Sequence, residues 1–254
     1  MGRLLLMLSL PGSWSILEKL IIRKEMDMSL TYTWFGHGTS GLEVDGIKVI
    51  MDPYFTDNPA VTIKAEDVEA DYILITHGHG DHVADAVPLA KRTGATLISN
   101  AEIASWLQNQ GVEAHGQHLG GGHEFPFGYV KLTLALHGSA LPDGSDGGNP
   151  CGFLITTPGG QKAYLAGDTG LFGDMALIGE EGLDLAVIPI GDNYTMGPDD
   201  ALRAVKLLKA KHVIPVHFST WELIEQDADA WATRVKSETQ TEPHVLQPGD
   251  SFTL

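Results

Sequence analysis

The sequence is poor in cysteine and in positive charge. Only one of its 254 residues, Cys151, is a cysteine, which excludes an internal disulfide framework and a cysteine-based zinc knuckle. Lysine and arginine number 16 against 33 aspartates and glutamates, so the formal net charge is −17. A chain this acidic lacks the electrostatic footprint of a protein that binds long nucleic acid or an anionic membrane, although a small local basic pocket is compatible with it.

Long hydrophobic runs are also missing. No apolar run reaches the ~18 residues of a membrane span. The run Leu4–Leu10 behind Arg3 has the length of a short signal-peptide h-region, but no clear cleavage site of small residues follows it. We therefore expect a cytoplasmic protein without a membrane partner.

Residues 1–28 differ from the rest of the chain, because regular patterning begins only after Met28. We predict that they form a loosely attached extension, or that the start of the protein is assigned too far upstream. The alternatives are a targeting segment and a packed helix over Ile16–Lys24. Four basic and three acidic side chains lie in residues 1–28, which leaves −18 of the total charge for residues 29–254. Residues 29–254 are predicted to form one domain, since no linker or residue-level repeat divides them.

Glycine and histidine are abundant. The chain has 30 glycines, well above the usual ~7% of residues, and this number indicates many tight turns. It also has 11 histidines, none of them among the first 36 residues. Histidine is the residue type on which the chemical interpretation depends.

After Met28, short apolar runs alternate with helical patterns. Hairpin turns are predicted at Asp45-Gly46 and at residues 158–160, and continuous apolar runs such as Leu185–Ile190 indicate buried strands. Val245–Leu246 and Phe252–Leu254 are predicted as short strands near the end of the chain. Two strand-rich halves that each carry helices predict an α/β fold of two packed sheets covered by helices.

The strongest chemical signal is the run His77–His82, which reads H-G-H-G-D-H. It places four metal-capable side chains within six residues, after the buried strand predicted over Tyr72–Thr76 and before a predicted helix. We therefore expect it on a loop at the end of a sheet, where Gly78 and Gly80 permit sharp turns. Imidazole and carboxylate ligands without thiolate suit zinc, manganese or iron.

Four ligands on one short loop rarely close the coordination of a single ion, and two ions that share the loop need further ligands. Three candidates each stand at or just after the end of a predicted strand: His137, Asp168 and His217. Taken singly, such a residue is more often structural, but together with His77–His82 we interpret all three as ligands. A carboxylate such as that of Asp168 can bridge two cations and hold them ~3.5–4 Å apart.

This order of motifs resembles the metallo-β-lactamase fold of metal-dependent hydrolases. Five further segments are similar to the ascorbate-phosphate-lactonase-like branch of small bacterial hydrolases in that fold: Trp34–His37, Met51–Pro53, Ala166–Gly170, Pro189–Pro198 and Pro215–Phe218. The resemblance covers about Leu30 to Leu254.

The resemblance implies an αββα sandwich with a dinuclear metal site along one edge. The first metal would be held by His77, His79 and His137, the second by Asp81, His82 and His217, and Asp168 would bridge the two. A bridging water, deprotonated near neutral pH, would attack an ester, lactone or phosphoester, with Asp81 taking up its proton. The expected ions are two divalent cations, in the first place Zn²⁺, with Mn²⁺ or Fe²⁺ as alternatives.

Other polar residues are predicted around this centre. Asp52 would support the ligand loop by hydrogen bonds, or only form a turn with Pro53. His37 would touch substrate or simply pack. Asn193 and Thr195, on a glycine-rich loop, would bind substrate or only shape the turn.

The leading interpretation is a hydrolase whose partner is a small molecule; an oligomer is compatible with it. One alternative is a phosphodiesterase or nuclease of the same fold, which the charge of −18 on residues 29–254 disfavours for a long nucleic acid. The other is a non-catalytic metal-binding sensor, which the loss of a ligand would have favoured. All seven predicted ligands are present.

Deleting residues 1–28 is expected to leave the melting temperature within about 2 °C of the full chain, because every predicted ligand and strand follows Met28. Thermal unfolding and metal content of the two proteins would be compared side by side. A large fall in either quantity would show that the segment belongs to the core.

Overall fold

The computed structural model describes residues 29–254. The extension predicted over residues 1–28, with its alternative helix and targeting run, lies outside the described residues. Among residues 29–254, no helix has the length and apolar character needed to cross a membrane.

Two sheets of seven strands each form the centre of the described chain. The strands of residues 29–254 are β1 (Leu30–Gly36), β2 (Thr39–Val44), β3 (Ile47–Met51), β4 (Tyr72–Leu74), β5 (Thr96–Asn100), β6 (Ala114–Gln117), β7 (Gly122–Phe125), β8 (Gly128–Leu134), β9 (Cys151–Thr156), β10 (Lys162–Leu165), β11 (Leu185–Pro189), β12 (His212–Val216), β13 (Glu242–Pro243) and β14 (Ser251–Thr253).

Each sheet is antiparallel in one part and parallel in the other. The first sheet has the order β14-β1-β2-β3-β4-β5-β6, and its pairs are parallel from β3 to β6. The second has the order β13-β12-β11-β10-β9-β8-β7 and is parallel from β10 to β13. Parallel strands end at the same edge of a sheet, so the loops that follow them gather there.

Alternation along the strands explains why the two sheets pack face to face. In β1 the side chains of Leu30, Tyr32 and Trp34 are buried between the sheets, while Thr31 and Thr33 lie on the other face. Strand β11 is buried at every position, as its continuous apolar sequence predicts. The central core is therefore a layer of apolar side chains contributed by both sheets.

Helices cover the outer face of each sheet. They are α1 (Gly80–Val83), α2 (Ala86–Thr93), α3 (Ala101–Asn109), α4 (Met175–Gly179), α5 (Pro198–Leu208) and α6 (Ala228–Glu238). Residues of α1 to α3 pack on the first sheet and residues of α4 to α6 on the second. The layers run helix, sheet, sheet, helix, so the predicted αββα sandwich is confirmed.

One predicted strand is wrong. Val245–Leu246 is not a strand; the short β13 precedes it and pairs with β12. His244 N still donates to Val213 O, but the chain then leaves the sheet. Val245 and Leu246 instead pack their side chains against the two cores, so their apolar character serves packing and not strand pairing.

Candidate metal centre

The predicted ligands meet at one edge of the sandwich, where strands of both sheets end. His77 follows β4 of the first sheet, and His217 follows β12 of the second directly. The sequence predicted His137 at the end of a strand. Strand β8 ends at Leu134, so His137 instead lies three residues beyond it. The chain leaves the sheet there because Leu136 N donates to the hydroxyl of Thr169 at 2.9 Å.

The His77–His82 run is only partly a loop. His77 to His79 are extended, but the residues from Gly80 onward form α1. Asp81 and His82 therefore project from a helical turn, whereas the sequence predicted a loop for the whole run. This turn directs Asp81 and His82 towards a different point from His77 and His79.

The three histidines predicted for a first metal lie together. Ligand atoms of His77, His79 and His137 are all within 4.8 Å of one another. His77 Nε2 lies 3.0 Å from His79 Nδ1, and the ring centroids of His77 and His137 are 4.9 Å apart. Three imidazoles at this spacing can share one divalent cation.

A second group contains Asp81, His82 and His217, and His37 joins it. Their ligand atoms also lie within 4.8 Å of one another. Asp81 is partly exposed, while the three histidines are buried. The second group therefore contains all three residues that were predicted to bind the second metal: Asp81, His82 and His217.

Asp168 lies between the two groups. Its Oδ2 atom is 2.9 Å from His217 Nε2 and 3.4 Å from His82 Nε2, both in the second group. The same oxygen is 3.7 Å from His137 Nε2, in the first group. This is the position that a bridging carboxylate requires.

Asp52 orients ligands in both groups. Its carboxylate accepts hydrogen bonds from the backbone N–H of Thr76 at 2.8 Å and from the Thr76 hydroxyl at 2.6 Å, and lies 2.8 Å from His82 Nδ1. Because the Thr76 hydroxyl donates to Asp52, it can only accept from His77 Nδ1, 2.9 Å away. Both histidines thereby carry their proton on Nδ1 and present Nε2 to the centre.

The orphaned nitrogen atoms of the site fit divalent cations. Among the described residues, His82 Nε2 and both ring nitrogens of His217 are buried without a hydrogen-bond partner. His217 Nε2 is close to Asp168 Oδ2 but lacks the angular geometry of a hydrogen bond. Buried polar atoms are rarely left unpaired, and a metal ion would satisfy those that face Asp168.

Burial and the two carboxylates set the protonation of the centre. Burial lowers the pKa of His77 well below its usual value and keeps the ring neutral. For His82, burial acts in the same direction, but Asp168 and Asp52 outweigh it and raise the pKa. Burial favours protonation of Asp168, yet His217 and His82 hold its pKa well below the usual range. The two carboxylates thus favour the charged form of His82, and the two histidines favour the ionised form of Asp168.

His37 stands behind Asp81 and is fully buried. Its Nε2 lies 3.0 Å from Asp81 Oδ2, and its Nδ1 lies 2.9 Å from the hydroxyl of Thr220. Burial lowers the pKa of His37 to about 4, although the hydrogen bond to Asp81 opposes this. These contacts fit the packing role that the sequence left open and hold the Asp81 carboxylate; substrate contact by His37 stays a prediction.

A cavity of about 430 Å³ opens over the two groups. Its walls are His79, Asp81, His137, Asp168, Tyr194, His217 and Trp221. Of the loop predicted to bind substrate, this set contains Tyr194, whereas the neighbouring Asn193 and Thr195 are outside it. Sequence reasoning missed Tyr194, which lies between them, and Trp221, four residues after His217 and outside any motif.

Three residues of the site have left-handed backbone conformations. The φ angles of His37, Asp52 and His217 are 55°, 47° and 55°. Such angles are uncommon outside glycine, and aspartate and histidine are among the residues that tolerate them best. Gly38 is required for a different reason: a Cβ there would lie 2.8 Å from the His82 ring.

The chain is similar to a described protein family and to several known proteins. The family described as a beta-lactamase superfamily domain matches residues 48–218. A protein of Heliobacterium modesticaldum named UPF0173 metal-dependent hydrolase is 52% identical over 233 residues, which cover 89% of this chain and 98% of that protein.

Two solved structures share the architecture. Igni18, described as a novel metallo hydrolase from the archaeon Ignicoccus hospitalis, aligns with a TM-score of 0.83 at 36% identity, over 89% of this chain and 98% of its own. The metallo-beta-lactamase fold protein YhfI from Bacillus subtilis aligns with a TM-score of 0.69 at 16% identity, over 89% and 100% of the two chains, and shows a common fold alone.

Replacing Asp52 by asparagine is expected to weaken the affinity for metal about 10- to 100-fold. Asparagine keeps the size and tolerates the left-handed backbone, but it cannot accept from the Thr76 hydroxyl and from His82 as the carboxylate does. Metal dissociation constants would be measured by competition with a chromogenic chelator.

The matched control is Asp45→Asn, because Asp45 is exposed and also has a positive φ of 51°. Its metal affinity should equal that of the unaltered protein. Equal affinities of Asp52→Asn and Asp45→Asn would contradict the orienting role of Asp52.

Proposed function

Because the chain belongs to the beta-lactamase superfamily, and within it to the UPF0173 metal-dependent hydrolases, we propose that it cleaves a small ester, lactone or phosphoester at two divalent metal ions. The observation that carries this proposal is the position of Asp168, whose Oδ2 atom faces imidazoles of both ligand groups. A mononuclear site would not need a buried carboxylate at that point.

The described residues would hold the ions as two triads with one shared ligand. The first ion would be bound by His77, His79 and His137, the second by Asp81, His82 and His217, and Asp168 would contact both. All of these donors are nitrogen or oxygen, which suits Zn²⁺ and also permits Mn²⁺ or Fe²⁺. When bound, such ions lower the pKa of an attacking water and polarise the oxygen of the scissile group.

Asp81 is the residue that we assign to proton uptake. A third of its side chain is exposed, and it lines the cavity. His37 Nε2 contacts the Asp81 carboxylate, and His37 Nδ1 contacts the hydroxyl of Thr220. These two contacts fix the position of the carboxylate. Burial would favour protonation, but the hydrogen bond from His37 together with the charges of His82 and His37 outweighs it and keeps the pKa of Asp81 below the usual range. The carboxylate is therefore ionised and fixed in place, both of which the proposed proton uptake requires.

The substrate proposed is a small molecule. A cavity of about 430 Å³ lies at the lower end of the range of small-ligand sites. A phosphodiesterase or nuclease and a non-catalytic sensor stay as alternatives, and a location in the cytoplasm stays a prediction. Chromogenic esters, lactones and phosphate esters, each assayed with and without chelator, separate these functions.

The purified protein is expected to carry close to two divalent ions per chain, because two triads of ligands and one bridge are present. Elemental analysis after gentle purification measures this ratio. Full activity with no more than one bound ion, under metal-replete conditions, would exclude the dinuclear proposal.

Asp168→Ala is expected to lower kcat/KM by more than about 100-fold, more than the 10- to 100-fold typical of residues that only orient ligands. The variant loses the carboxylate whose Oδ2 atom lies within 3.7 Å of imidazole nitrogens of both ligand groups. The melting temperature should change much less than the activity.

His118→Ala serves as the control, because His118 is exposed and outside the cavity walls. Its kcat/KM, metal content and melting temperature should match those of the unaltered protein. Near-normal activity of Asp168→Ala on the best substrate would refute the bridge.

A further inference from the structure

Two aromatic side chains stand at the mouth of the cavity over the metal centre. Tyr194 is 53% exposed and Trp221 is 39% exposed, and both line the cavity. Large aromatic side chains lose favourable burial when they face water. Because they line the cavity over the ligand groups, they place exposed aromatic surface where a substrate would lie.

A tight turn fixes the position of the Tyr194 backbone. Tyr194 follows Asp192 and Asn193, which have left-handed φ angles of 62° and 47°. The turn closes where Asp192 N donates to Met196 O at 3.1 Å. Tyr194 is thus presented by a tight turn directly after β11.

The side chain of Trp221 is held in place by its contact with the buried ring of His37. Its ring packs edge-on against the buried His37 ring, with centroids 4.6 Å apart. A 3₁₀ turn over Glu222–Ile224 begins directly after it, and Ile224 N donates to Trp221 O at 3.0 Å. The ring of Trp221 and the backbone of Tyr194 are therefore pre-positioned, which reduces the entropy cost of binding a flat group.

The cavity walls formed by the described residues offer no cationic side chain to an anionic substrate group. Among the described residues, those that line the cavity include neither lysine nor arginine, while Asp81 and Asp168 are both acidic. Phosphate groups are usually recognised by arginine, lysine or backbone N–H groups in addition to a metal. The walls offer aromatic surface where a phosphate would need a cationic side chain.

We infer that the substrate is an uncharged ester or lactone that carries an aromatic ring, and that this ring lies against Tyr194 and Trp221 while its carbonyl faces the metal ligands. The inference rests on the proposed function and narrows it, since it places phosphoesters outside the preferred class. Tyr194 and Trp221 are then specificity-determining residues that act on substrate binding and not on bond cleavage.

Two lactones of equal ring size test the inference in the purified, metal-containing protein. γ-Phenyl-γ-butyrolactone carries the ring and γ-butyrolactone lacks it. Tyr194→Ala is expected to raise KM for the phenyl lactone about tenfold, the upper end of what one aromatic contact contributes. The variant should leave kcat within about twofold and KM for the plain lactone unchanged.

Two variants separate stacking from other effects. Tyr194→Phe should restore the KM of the unaltered protein, because the ring and not the hydroxyl makes the contact. Tyr129→Ala is the matched control, since Tyr129 lies on β8, is 38% exposed and is not part of the cavity. Trp221→Phe, which keeps a ring against His37, should change KM less than Tyr194→Ala.

Binding without hydrolysis distinguishes failure of this inference from failure of the proposed function. Acetophenone and acetone are uncharged carbonyl compounds that the enzyme cannot hydrolyse, and their binding is measured by saturation-transfer NMR. Acetophenone should bind at least about tenfold more tightly than acetone, and Tyr194→Ala should remove that difference.

If no ester, lactone or phosphoester is cleaved while acetophenone keeps its preference, the proposed function fails and the aromatic site stands. The inference is overturned if Tyr194→Ala affects both lactones alike or if acetophenone and acetone bind equally. It is also overturned if 4-nitrophenyl phosphate is a better substrate than 4-nitrophenyl acetate.

Discussion

The carboxylate of Asp52 is the interaction on which the arrangement of the centre depends. It is fully buried, which raises its pKa, while its contacts with His82 and Thr76 act against that rise. Through the Thr76 hydroxyl it fixes His77, a ligand of the first group, and by direct contact it fixes His82 of the second. A removal of charge at this one position would therefore release ligands of both groups.

Much of the fold and of the centre could be predicted from the sequence, because the signals are local. Apolar runs with turn residues between them define most of the strands, and the His77–His82 run places four ligands without any knowledge of the tertiary structure. His137, Asp168 and His217 follow from one rule, that functional side chains lie in the loops that follow strands; of the three, only His217 comes directly after its strand. Asp52 could be placed near them only through the resemblance to a family.

The rest depends on tertiary contacts that local patterns do not encode. β6 and β7 each contain a glycine and a histidine, and they are strands because neighbouring strands pair with them. Val245 and Leu246 are apolar because they fill two cores, which a local pattern cannot distinguish from a strand. Tyr194 and Trp221 come from separate loops, and no spacing in the sequence relates one to the other.

The left-handed backbone of His217 affects how substitutions at the centre are to be interpreted. Histidine there already carries its Cβ in a conformation that costs roughly 1–2 kcal/mol; alanine would lose the imidazole and keep that cost, whereas glycine would lose the imidazole and remove it. At His77, whose φ is not positive, alanine removes only the ligand. An alanine variant of His217 therefore leaves the backbone cost in place, and the difference in stability between its alanine and glycine variants reports the conformational energy that the folded chain spends to aim one ring.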